Sequence, residues 1–393
     1  MRYALLLAVG LAAAGATATA QVPANIEAEL LKIGQIVDPA CTAKLYRPLM
    51  PASDFNTYWP PDAPSPKSLA PLYPGVKIVR DQAFGPNPKD VLDIFVGEKG
   101  GDKRPVVIYV PGGAGNKIEQ QAREANAFYD NIGRWATKNG MVGVLVQRHP
   151  GSGNWDDGGR DLSLAVDWLH DNLERYSGDP NRMVIWAHSA GNGPLGVYIG
   201  HPERWKNGVQ VKGAIFMSGN AVPGVGGAPG GGAGRGGPGG PGGAGAAQPG
   251  VACGLTGASM TSAAGRISGP SGFEAPAPGG QGGGRGPGGP GGPGRGGPPL
   301  TPEQQAERDN LPGFKKSNVK IALAWAELDP GIMNAQMPAN TVALHDGMCA
   351  VGKDHCPAMW MLKGESHMSE VFSIDTADKT VSGPVLEFVK KAK

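Results

Sequence analysis

The chain has 393 residues, of which 40% are apolar, 6% aromatic and 18% charged, with a net charge of +2 at pH 7. That length holds one large domain or two ordinary ones. A charge so near balance offers no case for nucleic acid or anionic membranes as partners.

Residues 1–20 read as an export signal. Arg2 supplies the positive start, residues 4–14 form a short apolar run, and Ala18-Thr19-Ala20 is the small-residue pattern that precedes cleavage before Gln21. The run is too short to cross a bilayer and no later stretch of about 20 apolar residues follows. The expectation is an exported mature chain, periplasmic or extracellular, with no membrane span. Residues 21–75 form an N-terminal extension in which 26–36 have the spacing of an amphipathic helix and the proline-rich stretch 48–74 should be irregular.

From Val76 the texture changes. Residues 91–96 suit a strand, and PVVIYV at 105–110 is a continuous apolar run of the kind a strand buried on both faces requires. A helix is expected over 122–139, a strand over 141–147, a helix over 161–176, a strand over 183–187, a helix over 191–200 and a strand over 211–217. This alternation predicts a mainly parallel sheet flanked by helices, with the domain's first part at 76–220. Residues 221–300 then break the pattern. Their Gly- and Pro-rich runs offer too little apolar surface to offset chain entropy, so a disordered insertion is expected. The glycine phase through Gly236, Gly239, Gly242 and Gly245 fails at Ala233 and Gln248, too short for a collagen helix. The second part, 301–393, opens with a helix start at Thr301-Pro302-Glu303. Strands over 319–325 and 358–363 and a closing helix over 384–391 follow.

Four cysteines, Cys41, Cys253, Cys349 and Cys356, allow three pairings in an oxidising compartment. Cys349 with Cys356 closes the shortest loop, which would leave Cys41 for Cys253.

The sharpest chemical signal is Trp186-Ala187-His188-Ser189-Ala190-Gly191, between an apolar strand and a helix. A serine on so tight a turn is pushed out of the sheet surface, and small residues two before and two after let the backbone turn. Ala187 stands where the usual G-x-S-x-G has its first glycine. A plain helix-capping serine is the alternative. The second signal is Pro111-Gly112-Gly113-Ala114-Gly115, a turn able to aim backbone N–H groups at one point, as acyl transfer requires for its oxyanion. Gly112, Gly113 and the residue after the serine, Ala190, are the expected donors.

The run DLSLAVDWL at 161–169, then YSGDPNR at 176–182, then AHSAG, resembles the carboxylesterase and acetyl-esterase branch of the α/β-hydrolases, over residues 76–220 and 318–393. The resemblance implies that fold and a serine esterase acting on small-molecule esters, with no cofactor and no metal. It places the acid in the turn Glu327-Leu328-Asp329-Pro330, with Asp329 preferred and Glu327 as the alternative. It places the base at His367, in a G-x-x-H-x-S pattern. Two other readings stay open: a serine peptidase or amidase of the same fold, and a catalytically silent surface-binding protein.

Overall fold

The computed structural model describes residues 21–49, 73–99, 101–113, 129–147, 155–222, 310–330 and 341–392. The expected leader, the stretch 50–72, the first turns of the helix expected from 122, the Gly/Pro-rich insertion from 223 on, the helix start at Thr301, and Cys253 lie outside these residues.

Eight strands form one sheet: β1 (Val76–Ala83), β2 (Val91–Gly97), β3 (Arg104–Val110), β4 (Val142–Val146), β5 (Gly178–His188), β6 (Gly213–Met217), β7 (Lys320–Leu328) and β8 (Ala358–Ser366). Their order is β1-β2-β4-β3-β5-β6-β7-β8. β2 runs antiparallel to β1 and β4, and every other pairing is parallel. This is the α/β-hydrolase arrangement. The apolar runs explain the parallel centre. In β3, Val107 and Tyr109 enter one core cluster while Val106, Ile108 and Val110 enter the cluster on the opposite face. In β5, Val184 and Trp186 share the first and Met183, Ile185 and Ala187 the second. Side chains alternate faces along a strand, so a run without polar breaks serves a sheet covered on both sides.

The helices are α1 (Ala24–Ile33), α2 (Pro39–Tyr46), α3 (Asp130–Lys138), α4 (Trp155–Asn172), α5 (Asn192–Gly200), α6 (Leu311–Lys316), α7 (Ser369–Phe372) and α8 (Ser382–Lys391), with a further helical stretch over 341–349. Several boundaries depart from expectation, three of them for reasons the packing shows. α4 starts at Trp155 rather than 161, because Gly158 and Gly159 lie against Pro194 and Val197 of α5. A Cβ at either position would meet those side chains at 2.6 and 2.8 Å. Close helix packing thus outweighs glycine's poor helix propensity of about 1 kcal/mol each. α1 stops at Ile33 because Gly34 turns the chain at φ 78°. β5 begins at Gly178, since Arg104 pairs with Gly178 before the register shifts ahead of Met183.

The described part of the extension before residue 50 packs on the core and holds more helix than its sequence suggests. Ile26, Leu30, Ile33, Cys41 and Tyr46 are buried in the same cluster as Trp186. α2 was not foreseen, although its signal is local. Asp38 Oδ1 accepts the Cys41 N–H at 2.9 Å and Pro39 occupies the first helical position, the usual start of a helix. The Tyr46 hydroxyl then donates to Asp378 Oδ2 at 3.1 Å, tying α2 to the segment before α8. Cys349 and Cys356 are bridged, which joins the 341–349 helix to the turn ahead of β8.

Candidate active site

Ser189 ends β5. It holds φ at +53°, in the left-handed region that a side chain enters at about 1–2 kcal/mol. The surroundings leave it no other course. A Cβ on Gly112 would lie 2.7 Å from Ser189 Cβ, and one on Gly191 would lie 2.7 Å from the Val110 carbonyl oxygen. The serine is therefore wedged between the end of β3 and the start of α5. Asn192 locks the same corner, donating to the Met217 carbonyl at 2.8 Å and accepting the Met217 N–H at 3.2 Å. Ala187 is buried in the core with its small side chain, which is what this position requires.

His367 follows β8 and reaches back across the sheet's C-terminal edge. Its Nε2 lies 2.9 Å from Ser189 Oγ and its Nδ1 lies 2.8 Å from Asp329 Oδ1. The hydrogen-bond pattern assigns the proton of His367 to Nδ1, donated to the carboxylate, and leaves Nε2 to accept from the serine. Asp329 Oδ2 accepts the Ala326 N–H at 3.0 Å and lies 2.7 Å from Ser218 Oγ. Asp329 and His367 are buried, whereas Ser189 is half-buried and Ala190 exposed. The hydroxyl is thus open to a reactant while the groups behind it are dry. Glu327, the alternative acid, sits at the register shift between β7 and β8, where its Oε2 accepts the Gly364 N–H at 2.8 Å. Its carboxylate anchors β8.

Gly112 and Gly113 form the turn directly after β3, the parallel neighbour of β5, and Gly113 takes φ +55°. Ala190 belongs to the short turn Ser189–Gly191 that leads into α5. Gly112 packs directly against Ser189, and Ala190 follows it in the chain.

Three residues of this neighbourhood were missed from sequence: His188, Ser218 and Glu370. His188 Nε2 lies 2.9 Å from the His367 carbonyl oxygen and 3.2 Å from Glu370 Oε2. Ser218 holds φ at +48° just after β6, and its Oγ lies 2.8 Å from Glu370 Oε1. Burial pushes His188 down to about 4, so it is neutral. Burial, then the Asp329 charge, pushes Glu370 well above the carboxylate range. His188, His367 and Glu370 offer ligand atoms within 4.8 Å of one another. Both ring nitrogens of His367 are already engaged by Ser189 and Asp329, so the trio is poorly suited to a metal ion.

Residues 92–206 match the BD-FAE family model. The chain resembles the α/β-hydrolase esterases. Among curated proteins it is 30% identical over 158 residues to the secreted triacylglycerol lipase LIP1 of Gibberella zeae, covering 34% of this chain and 26% of that one. It is 28% identical over 119 residues to the isoprenylcysteine α-carbonyl methylesterase ICME of Arabidopsis thaliana, covering 29% and 26%. A third relative, secreted lipase 5 of Gibberella zeae, is 39% identical over 62 residues, or 16% of this chain and 11% of that one. The chain thus spans about a quarter or less of the length of these relatives. Among solved structures, carboxyl esterase 2 of the fungus Tuber melanosporum aligns over 81% of this chain and 87% of its own, at 16% identity and a TM-score of 0.46. Among the described residues no helix is long and apolar enough to cross a membrane.

Proposed function

We propose that the chain hydrolyses carboxylic esters of small molecules through an acyl-enzyme at Ser189. The observation that carries this reading is the line of contacts from the Ser189 hydroxyl through His367 to buried Asp329, at 2.9 and 2.8 Å. His367 takes the serine proton as the oxygen attacks the ester carbonyl. Asp329 holds the imidazole in the required tautomer and stabilises the imidazolium that forms. The amides of Gly112, Gly113 and Ala190 receive the oxyanion, each such donor lowering the barrier by about 3–4 kcal/mol. His367 returns its proton to the departing alcohol. Water, activated by the same base, then releases the acid. The chemistry calls on side chains and amides alone.

The names of the matched relatives, two lipases and a methylesterase, favour an ester over an amide substrate. Two of them are described as secreted, which agrees with export directed by residues 1–20. Short p-nitrophenyl esters and a fluorophosphonate probe test the reading. Wild type should turn over the esters and label at Ser189. Ser189→Ala should lose at least about 10⁴-fold in kcat and all labelling while keeping its thermal transition. Equal turnover by that variant would refute the assignment.

A further inference from the structure

Behind Asp329, the Ser218 hydroxyl lies between two carboxyl groups, 2.7 Å from Asp329 Oδ2 and 2.8 Å from Glu370 Oε1. A hydroxyl has one hydrogen to give. Ser218 Oγ also faces the Ala326 N–H at 3.3 Å, and that group donates. Both carboxyl oxygens sit at hydrogen-bond distance, so one of the two carboxyls must bring a hydrogen of its own. Asp329 is the anion. Its Oδ1 faces His367 Nδ1, and its Oδ2 accepts the Ala326 N–H. The hydrogen therefore belongs to Glu370.

Resting on the esterase reading above, we infer that Glu370 is a positioning residue. It is held as a neutral acid that donates through Ser218 to Asp329, and so fixes the carboxylate that orients His367. The chain of donation runs from Glu370 Oε1–H to Ser218 Oγ, then from Ser218 Oγ–H to Asp329 Oδ2. Glu370 Oε2 is buried with no well-aligned donor. An uncharged oxygen tolerates that far better than half of a carboxylate would. His188 completes the frame. Its Nε2–H is given to the His367 carbonyl oxygen at 2.9 Å and steadies the backbone of the base, while the same nitrogen lies 3.2 Å from Glu370 Oε2 without a well-aligned bond. The groups that face Glu370 are Asp329, His367, His188, Tyr109 and Glu365. Burial disfavours a negative charge on Glu370, and the Asp329 carboxylate works in the same direction.

Glu370→Gln separates a neutral donor from an anion. The glutamine amide is uncharged and can donate to Ser218 as the acid does. Its kcat on a p-nitrophenyl ester should stay within about threefold of wild type, with the acid-limb midpoint of the kcat profile unmoved. Glu370→Ala and Ser218→Ala should each lower kcat about 10- to 100-fold with KM little changed, since each removes a hydrogen bond to a charged or charge-supporting group. If Glu370 is instead an anion, Gln removes a negative charge near His367 and lowers the acid-limb midpoint by more than about half a unit. That shift, a kcat loss in Gln equal to that in Ala, or an undiminished kcat in Ser218→Ala would overturn the inference. Should Glu370→Ala fail to fold, the Gln and Ser218→Ala comparisons decide. A wild type that neither turns over esters nor labels with fluorophosphonate would defeat the esterase reading itself, an outcome distinct from all of these.

Discussion

Gly112→Ala places one methyl group against Ser189, the proposed nucleophile. The added Cβ would lie 2.7 Å from Ser189 Cβ, 3.2 Å from the His188 carbonyl oxygen and 3.4 Å from His188 Nδ1. Carbon atoms rest about 3.5–4.0 Å apart, so either the turn after β3 or the serine must retreat by about 1 Å. The serine has little freedom, because Gly191 is packed on the Val110 and Pro111 carbonyls and Asn192 is bonded to β6. On the proposed mechanism the retreat shifts the Gly112 amide relative to Ser189 and so away from where the oxyanion forms, and a displacement of about 1 Å costs about 100-fold in rate. Gly113→Ala is the matched control. Nothing lies within 4 Å of its added Cβ, but its φ of +55° strains any side chain by about 1–2 kcal/mol. Gly113→Ala should therefore lower the melting temperature with a modest change in kcat, while Gly112→Ala lowers kcat about 100-fold. The assays are initial rates on p-nitrophenyl butyrate, the rate of fluorophosphonate labelling and a thermal melt of each variant. A Gly112→Ala enzyme within threefold of wild-type kcat would refute the claim that this glycine is kept for its closeness to Ser189.

Asp329→Asn should fold normally yet lose about 10⁴-fold in kcat, because an amide favours the wrong imidazole tautomer; a loss under tenfold would reassign the acid. His188 titrates at about 4 when folded, against about 6.5 unfolded. A lowered folded pKa gives stability that is complete above pH 6.5 and lost as pH falls through 4, about 3 kcal/mol over that window. Urea unfolding of wild type and His188→Gln from pH 4 to 7 should give a difference that grows with pH by this amount, and a flat difference would contradict it. The Cys349–Cys356 bridge closes a sequence separation of 7, so the double serine variant should lose about 2 kcal/mol of stability in denaturant. An unchanged midpoint would show that the loop is held by its other contacts.

The sheet was legible because its central strands are apolar on both faces, and a run such as PVVIYV has few other uses in a chain of this kind. The turn at Ser189 was legible because a serine between a strand and a helix, with small neighbours, leaves a local pattern. Chain order then pointed to Asp329 and His367, and in the structure His367 contacts both Ser189 and Asp329. Glu327 and Asp329 could not be separated that way. They lie two residues apart at the end of one strand, and a register shift between Ala326 and Leu328 decides which carboxylate turns toward His367. α4 starts where its glycines meet α5, a consequence of packing that glycine's intrinsic preference opposes.

What the amino-acid order determined by itself is therefore periodic or local: which segments are strands or helices, where the serine turns, and the sequence in which its partners follow. What tertiary structure alone decided is the buried frame behind them. Ser218 reaches Asp329 across 111 residues and Glu370 across 152. Hydrogen bonds between groups so far apart leave no repeat in the sequence. They exist only because parallel strands bring the ends of β6, β7 and β8 to one edge, where each buried polar group must find a partner.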